Sequence, residues 1–174
     1  MRGLIRGSKR VDAQPRSASR RRAAVRALAV LANGGYLVTP HLVSEIHYDS
    51  GVTETPDWGG SKVQVLKPQT VNTVTQMLTT VVDKAFVSGM SFQHYSVAAK
   101  TGTAQIANPA GGGYYTDRYL HSYFGYFPSY NAKFIIFLFA FEPVGAPYSS
   151  ETWGTHFHDL VQFLINYYNI PPDR

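Results

Sequence analysis

The sequence predicts an α+β fold in which helices cover an antiparallel sheet. Two apolar segments, 119–127 and 133–141, are joined by Pro128-Ser129-Tyr130-Asn131, a spacing typical of a hairpin. A third strand-like segment, 96–106, precedes them closely in the chain. Helix-forming segments lie before and after these strands, so we expect them to cover the faces of the sheet.

The first predicted element is a helix over 20–32, RRRAAVRALAVLA, whose residue types favour helix formation. It should end at Asn33-Gly34-Gly35, because Asn and Gly tolerate the left-handed conformation of a C-cap. Three short strands are predicted next, at 36–38, 42–48 and 63–66, with a polar loop over 49–61.

A second helix is predicted over 69–84, because its apolar residues recur at helical spacing and Pro68 suits the first turn. The segment 133–141, KFIIFLFAF, is almost continuously apolar, which predicts a central strand covered on both faces. A last helix over 150–169 carries an apolar stripe and ends before Pro171-Pro172. Loops are expected at 86–95 and 108–113.

Composition excludes several classes of protein and of site. With 174 residues, 44% hydrophobic and 14% aromatic, the chain is long and apolar enough for one globular domain. It has no cysteine, which excludes disulfides, thiolate catalysis and cysteine-bound metals. No apolar run approaches the ~18 residues of a membrane span. No apolar segment follows the basic N-terminus, so we predict no targeting signal.

The net charge of +5 is concentrated in the first residues. Residues 1–26 contain nine Lys or Arg and one acid (+8), whereas 27–174 contain seven basic and ten acidic residues (−3). The domain itself therefore implies no nucleic-acid or membrane surface. We expect residues 1–19 to lack regular structure and residues 1–22 to be a basic, foreign segment, with the domain at 23–174. Three explanations of the basic segment are a nucleic-acid-binding site, a lipid-binding site and a translation artefact. We favour the artefact.

Residues 98–105, AAKTGTAQ, carry most of the functional signal. Lys100 can offer a positive charge to a carboxylate, and the hydroxyls of Thr101 and Thr103 can donate hydrogen bonds to it. Gly102 has no side chain, so a neighbouring chain can approach closely. Strict alternation puts Lys100 and Thr101 on opposite faces, so both serve one site only if the strand lines the rim of a cleft.

This segment and its surroundings resemble class B penicillin-binding proteins, the peptidoglycan D,D-transpeptidases. Lys-Thr-Gly is one of the three motifs of such enzymes. The resemblance also includes Ala32-Asn33-Gly34-Gly35, Thr39-Pro40-His41-Leu42-Val43, the strand 121–128 and the last helix. It covers about residues 23–170 and implies the C-terminal part of a transpeptidase domain with a β-lactamase-like fold, here incomplete.

The other two motifs of that family are missing or displaced. No S-x-x-K is present, since Ser96 and Lys100 are one residue too far apart. Ser129-Tyr130-Asn131 fits S-x-N formally, but it follows the Lys-Thr-Gly strand and lies in a predicted turn, so we do not assign it to the site. We predict that the chain lacks the nucleophile and is inactive alone. A truncated or frameshifted gene, or a misassigned start, would explain this.

The resemblance implies substrate-binding roles for Lys100, Thr101, Gly102 and Thr103, with the backbone N–H of Thr103 as half of an oxyanion hole. It implies peptidoglycan stem peptides and β-lactams as partners, and no metal or other cofactor. The full-length family works at the extracytoplasmic face of the bacterial membrane, to which only an N-terminal anchor, missing here, would attach this chain.

Two alternatives to a transpeptidase fragment stay open. The first is a non-catalytic module that keeps the carboxylate-binding strand. The second is a nucleic-acid binder with a basic tail, which the lack of interleaved aromatic residues makes the weaker of the two. The six histidines show no metal-binding spacing, so we predict that they are structural or surface residues.

Overall fold

The computed structural model describes residues 15–58, 63–85 and 92–174. The three helices of this part are α1 (Pro15–Ala32), α2 (Pro68–Ala85) and α3 (Ser149–Tyr167). A three-stranded antiparallel sheet is formed by β5 (Ala98–Ala107), β6 (Tyr114–Phe127) and β7 (Phe134–Phe141). Two small sheets pair β1 (Tyr36–Leu37) with β4 (Val63–Gln64), and β2 (Ile46–His47) with β3 (Thr53–Glu54). The predicted α+β class is confirmed.

The main sheet has the order β5-β6-β7, so the prediction that 133–141 is the central strand is wrong. That segment forms the edge strand β7, and β6 is central. The apolar run arises because both faces of β7 contact helices. Phe134, Ile136 and Leu138 belong to the cluster under α3, whereas Ile135 and Phe137 belong to the cluster under α1 and α2. Two-sided burial of a strand therefore does not require pairing along both of its edges.

The sheet separates two apolar clusters. On one face, α3 contributes Phe157, Val161 and Ile165, which pack against Tyr123 and Phe127 of β6. The phenyl ring of Phe157 is fully buried and stacks on the ring of Tyr123 with a centroid distance of 4.3 Å. The larger of the two clusters thus lies between α3 and the central strand.

The opposite face of the sheet is covered by α1 and α2. Ala98, Phe124 and Tyr126 are buried there against Leu28 of α1 and Leu78 of α2. The buried hydroxyl oxygens of Tyr126 and Thr75 lie 2.7 Å apart, and burial raises the pKa of the Tyr126 phenol. This phenol therefore stays protonated and ties α2 to the sheet.

Helix α1 begins at Pro15, five residues before the predicted start, so the expectation of no regular structure up to residue 19 is wrong from Pro15 onwards. Alanine and arginine favour helix, and Pro is well suited to the first turn. The guanidinium of Arg21 also lies over the Phe139 ring, 5.2 Å from its centroid. Residues 1–14 lie outside the described residues, and the boundary at 22/23 remains a prediction.

The segment between α1 and α2 differs most from the predictions. Strands were expected at 36–38, 42–48 and 63–66, and β1, β2 and β4 lie within these ranges. However, β2 pairs with β3, a strand inside the expected polar loop, and β1 pairs with β4. The β2–β3 turn closes through a 2.9 Å hydrogen bond from the Tyr48 N–H to the Val52 carbonyl. Strands of two residues carry too little periodicity to be located from sequence.

The glycines after α1 adopt the predicted left-handed backbone. Gly34 and Gly35 have φ angles of 65° and 97°, and the Gly35 N–H donates to the Val30 carbonyl at 2.9 Å. The Gly35 carbonyl then accepts the N–H groups of Val65 and Leu66 at 2.8 and 3.2 Å. This tight turn therefore ends α1 and joins it to the segment leading into α2.

Candidate functional site

Strand β5 carries the Lys-Thr-Gly-Thr segment along an edge of the main sheet. It pairs only with β6 among the described residues, with Lys100 opposite Phe124 and Thr103 opposite His121. Its first residues, Ala98 and Ala99, are buried and anchor the strand in the two clusters. Lys100 and Thr103 are exposed. The predicted site residues therefore project from a rigidly anchored strand at the open rim of a sheet.

The side chains of this segment alternate between the two faces, as predicted. Lys100 follows Ala98 onto the face covered by α1 and α2, whereas Thr101 and Thr103 follow Ala99 onto the α3 face. The fold does not bring the Lys100 ammonium and the threonine hydroxyls onto one face. The two sets of groups lie on either side of the free edge of β5, so a ligand bound along this edge could reach both of them.

The Lys100 ammonium folds back onto the backbone of its own strand. Its Nζ donates to the Thr101 carbonyl at 2.9 Å. Across the described ranges, no carboxylate lies within ion-pair distance of this Nζ. An ammonium has three N–H donors, so two stay available for an incoming carboxylate.

The hydroxyl of Thr103 is held by the first turn of α3. The backbone N–H of Ser149 donates to Thr103 Oγ1 at 3.1 Å, and the fully buried Ser149 hydroxyl donates to the Ser122 carbonyl at 2.5 Å. Because Thr103 accepts this bond, its own proton stays free to be donated to a ligand. Ser149 thus orients a residue of the candidate site.

Sequence reasoning missed Ser149 and its neighbours in this contact. Beside them, the buried ring of His121, opposite Thr103, lies with Nδ1 2.8 Å from the Thr152 hydroxyl of α3. The only local signal was that Ser149 stands near the start of the last helix. Its contact with β5 spans 46 residues of chain, so it depends on tertiary packing.

Gly102 makes room for the neighbouring strand. A Cβ built at Gly102 would lie 2.6 Å from the Ser122 hydroxyl oxygen, too close for a normal contact. The absent side chain was expected to allow the approach of another chain. Within the domain, the group that approaches is a side chain of β6.

Ser129-Tyr130-Asn131 lies in the turn between β6 and β7. Ser129 is buried, and its hydroxyl oxygen lies 2.8 Å from that of Thr79 in α2. The Ser129 N–H donates to Ser96 Oγ at 2.8 Å, near the beginning of β5. Because Ala98 pairs with Tyr126, Ser129 lies beyond the N-terminal end of β5, on the side of the strand away from Thr103 along the chain. It is an internal structural residue, not part of this rim.

Two further properties concern the described residues alone. Within 15–58, 63–85 and 92–174, no three His, Cys, Asp or Glu side chains come together as a metal site. In that same part of the chain, no helix has the length and apolarity needed to cross a membrane.

The family follows from a match over most of the chain. Residues 23–161 match the family described as the penicillin binding protein transpeptidase domain. The chain belongs to this family. The resemblance inferred from Lys100–Thr103 and from Asn33-Gly34-Gly35 is thereby confirmed.

Two relatives of the chain are named as a penicillin-binding protein and as a transpeptidase homolog. The chain is 31% identical over 153 residues to the penicillin-binding protein PbpB of Mycolicibacterium smegmatis, covering 81% of this chain and 23% of that protein. It is 28% identical over 172 residues to a peptidoglycan D,D-transpeptidase FtsI homolog of Nephroselmis olivacea, covering 67% and 24% respectively. The chain therefore spans less than a quarter of the length of either relative.

A solved structure supports the fold. Penicillin binding protein 3 of Mycobacterium tuberculosis superimposes with a TM-score of 0.72 at 27% identity, covering 86% of this chain and 35% of that one. That protein has also been solved complexed with ampicillin and with aztreonam. The transpeptidase fold predicted for this chain is thus confirmed.

Proposed function

We propose that this chain forms one wall of a peptidoglycan transpeptidase site, the wall that binds the substrate carboxylate. The observation that carries the proposal is the exposed edge of β5, where Lys100 keeps two free donors and Thr103 keeps a free hydroxyl proton. An unpaired strand edge can also hold an extended peptide by main-chain hydrogen bonds. A stem peptide with a terminal carboxylate matches both features.

The reaction itself needs a nucleophile that the sequence does not contain. No S-x-x-K occurs in the 174 residues, and the single formal S-x-N is internal. In acyl transfer, the Thr103 N–H would contribute half of the oxyanion hole, and the serine of the absent motif would contribute the other half. Removing one such donor typically costs about 100–1,000-fold in rate. Without the serine, no acyl-enzyme can form.

Fluorescent penicillin should therefore not label this chain covalently. The sequence contains no S-x-x-K motif that would supply a serine activated by a lysine, so the β-lactam ring stays closed. Denaturing electrophoresis of the chain incubated with the reagent measures this directly, with an intact transpeptidase as the positive control. A stable adduct that survives denaturation would contradict the proposal.

A reversible interaction with β-lactams should nevertheless be measurable. We expect ampicillin to shift the NMR signals of β5, and Lys100→Met to weaken binding about two- to fivefold, as for an exposed ion pair. Lys133→Met, at an exposed lysine just before β7, is the matched control and should leave the titration unchanged. Equal weakening by both variants, or shifts confined to other elements, would sink the assignment of Lys100.

The second candidate function is a non-catalytic binding module. The missing nucleophile supports this candidate as well as it supports part of a transpeptidase. Both candidates predict the same result with fluorescent penicillin. The nucleotide sequence upstream of Met1 separates them. An upstream reading frame with S-x-x-K and S-x-N supports the transpeptidase, whose place would be the extracytoplasmic face of the membrane. Their absence from every frame supports the binding module.

A further inference from the structure

We propose that residues 171–174 form a clasp that fixes the start of β5, with Asp173 as a positioning residue for the Lys100–Thr103 segment. The meaning of the clasp for ligand binding rests on the proposed function, but its existence is a structural claim that needs no ligand. The contacts of the clasp run from the end of α3 to the residues that precede β5.

The chain leaves α3 along a defined path. Asn169 adopts a φ of 49°, and the Ile170 N–H donates to the Ile165 carbonyl at 3.0 Å, which closes the helix end. Ile170 is 9% exposed and belongs to the apolar cluster under α3. Pro171 and Pro172 then restrict the backbone. The backbone that leads to residue 173 therefore has little conformational freedom, which fixes the position of this residue.

Asp173 binds the backbone and the side chain of one residue. Its Oδ1 accepts the Ser96 N–H at 2.6 Å, and its Oδ2 accepts the Ser96 hydroxyl. The Asp173 N–H donates to the His94 carbonyl at 3.1 Å. Ser96 is 4% exposed, so the carboxylate satisfies two donors that are shielded from water. Charge-assisted hydrogen bonds of this kind are stronger than neutral ones.

Arg174 ties the same segment to α2. Its Nη1 and Nη2 donate to the two carboxylate oxygens of Asp83 at 2.7 Å each, and Nη2 also donates to the Phe92 carbonyl at 2.9 Å. Hydrogen bonding to Asp83 raises the pKa of the guanidinium. The segment therefore joins the last turn of α2 to the chain that approaches β5.

The contacts continue from Ser96 into the sheet. Ser96 Oγ, whose proton goes to Asp173, accepts the Ser129 N–H at 2.8 Å, and the Ser96 carbonyl accepts the same N–H at 3.0 Å. Ser129 in turn contacts Thr79 of α2. Ser96 lies four residues before Lys100, about 13 Å along an extended strand. The carboxylate thus sets where β5 begins relative to β6 and α2.

Hydrogen exchange on the whole chain tests the clasp. We expect Asp173→Ala to accelerate exchange about 10-fold or more in peptides covering 92–101 and 127–133, since two buried donors lose a charged acceptor. Exchange in the middle of α3 and across the β6–β7 pairing should not change. Asp173→Asn, which keeps an acceptor for the Ser96 N–H, should restore part of the protection. Asp159→Ala, at an exposed acid of α3, is the matched control.

A double-mutant cycle with Ser96→Ala makes the test specific. If Asp173 acts through Ser96, the double variant should exchange no faster than the more affected single variant. Additive effects, uniform acceleration over the whole chain, or no local change would each overturn the clasp. Arg174→Ala, which leaves the Asp173 carboxylate in place, should accelerate only 92–95, and it supplies a second test if Asp173→Ala does not fold. Failure of the ampicillin titration with the unmodified chain would refute the proposed function and leave this exchange pattern intact.

Discussion

Replacing Gly125 by alanine should lower the free energy of unfolding by about 3 kcal/mol, because it overpacks the centre of the larger core. A Cβ at this position would lie 2.4 Å from Cζ and 2.9 Å from Cε2 of the Phe157 ring, and 2.9 Å from Ala99 Cβ. Phe157 is fully buried and stacked on Tyr123, so its ring has little room to withdraw. The methyl group would push α3 away from β6.

Chemical denaturation measures this effect, and the same chain offers a matched control. Gly154 lies within α3, and a Cβ there would meet nothing within 4 Å. Gly154→Ala should therefore raise stability by up to about 1 kcal/mol through helix propensity alone. If Gly125→Ala unfolds at the same denaturant concentration as the parent, the close packing of α3 on β6 is refuted.

Helix α3 determines the geometry of the candidate site as well as the core. Its first turn holds the Thr103 hydroxyl through Ser149, and the segment that follows it holds Ser96 through Asp173. Between these two contacts, Phe157 packs against the central strand. Displacement of α3 by Gly125→Ala would therefore disturb both ends of the strand segment that carries Lys100–Thr103, without changing any residue of the candidate site.

Elements with strong local signals could be predicted from the sequence. Helix α2 was predicted as 69–84 and extends over Pro68–Ala85, because its apolar spacing and its proline act locally. The edge position of β7 could not be predicted, since an apolar run reports burial of faces and carries no information about which edges are paired. The pairing of β1 with β4 could not be predicted either, because it joins residues 26 to 28 positions apart and each strand has only two residues.

The residues of the candidate site also divide into those that the sequence could predict and those that it could not. Lys100 and the two threonines could be found because a short motif holds all of them on one strand. Ser149 and Asp173 could not be found, because each reaches β5 from far along the chain, 46 and 77 residues away. Positioning contacts of this kind arise from tertiary packing, so a motif identifies the groups that touch a ligand and misses those that orient them.

Replacing Gly35 by alanine should cost about 3 kcal/mol or more, because backbone strain and a steric clash act together. The φ of 97° is rarely adopted by residues with a side chain. The added Cβ would also lie 2.2 Å from the Leu66 carbonyl oxygen and 3.1 Å from its carbon. These are backbone atoms, which cannot rotate away as the end of a side chain can.

The adjacent Gly34 separates the two causes. It has a φ of 65°, but a Cβ there would meet nothing within 4 Å, so Gly34→Ala should cost only about 1 kcal/mol from conformation. Comparing the unfolding free energies of the two variants isolates the clash with Leu66. Equal losses would show that the turn does not press against residue 66. A larger loss at Gly35 would show that this turn, whose Gly35 carbonyl accepts the Val65 and Leu66 N–H groups, packs tightly against the segment that leads into α2.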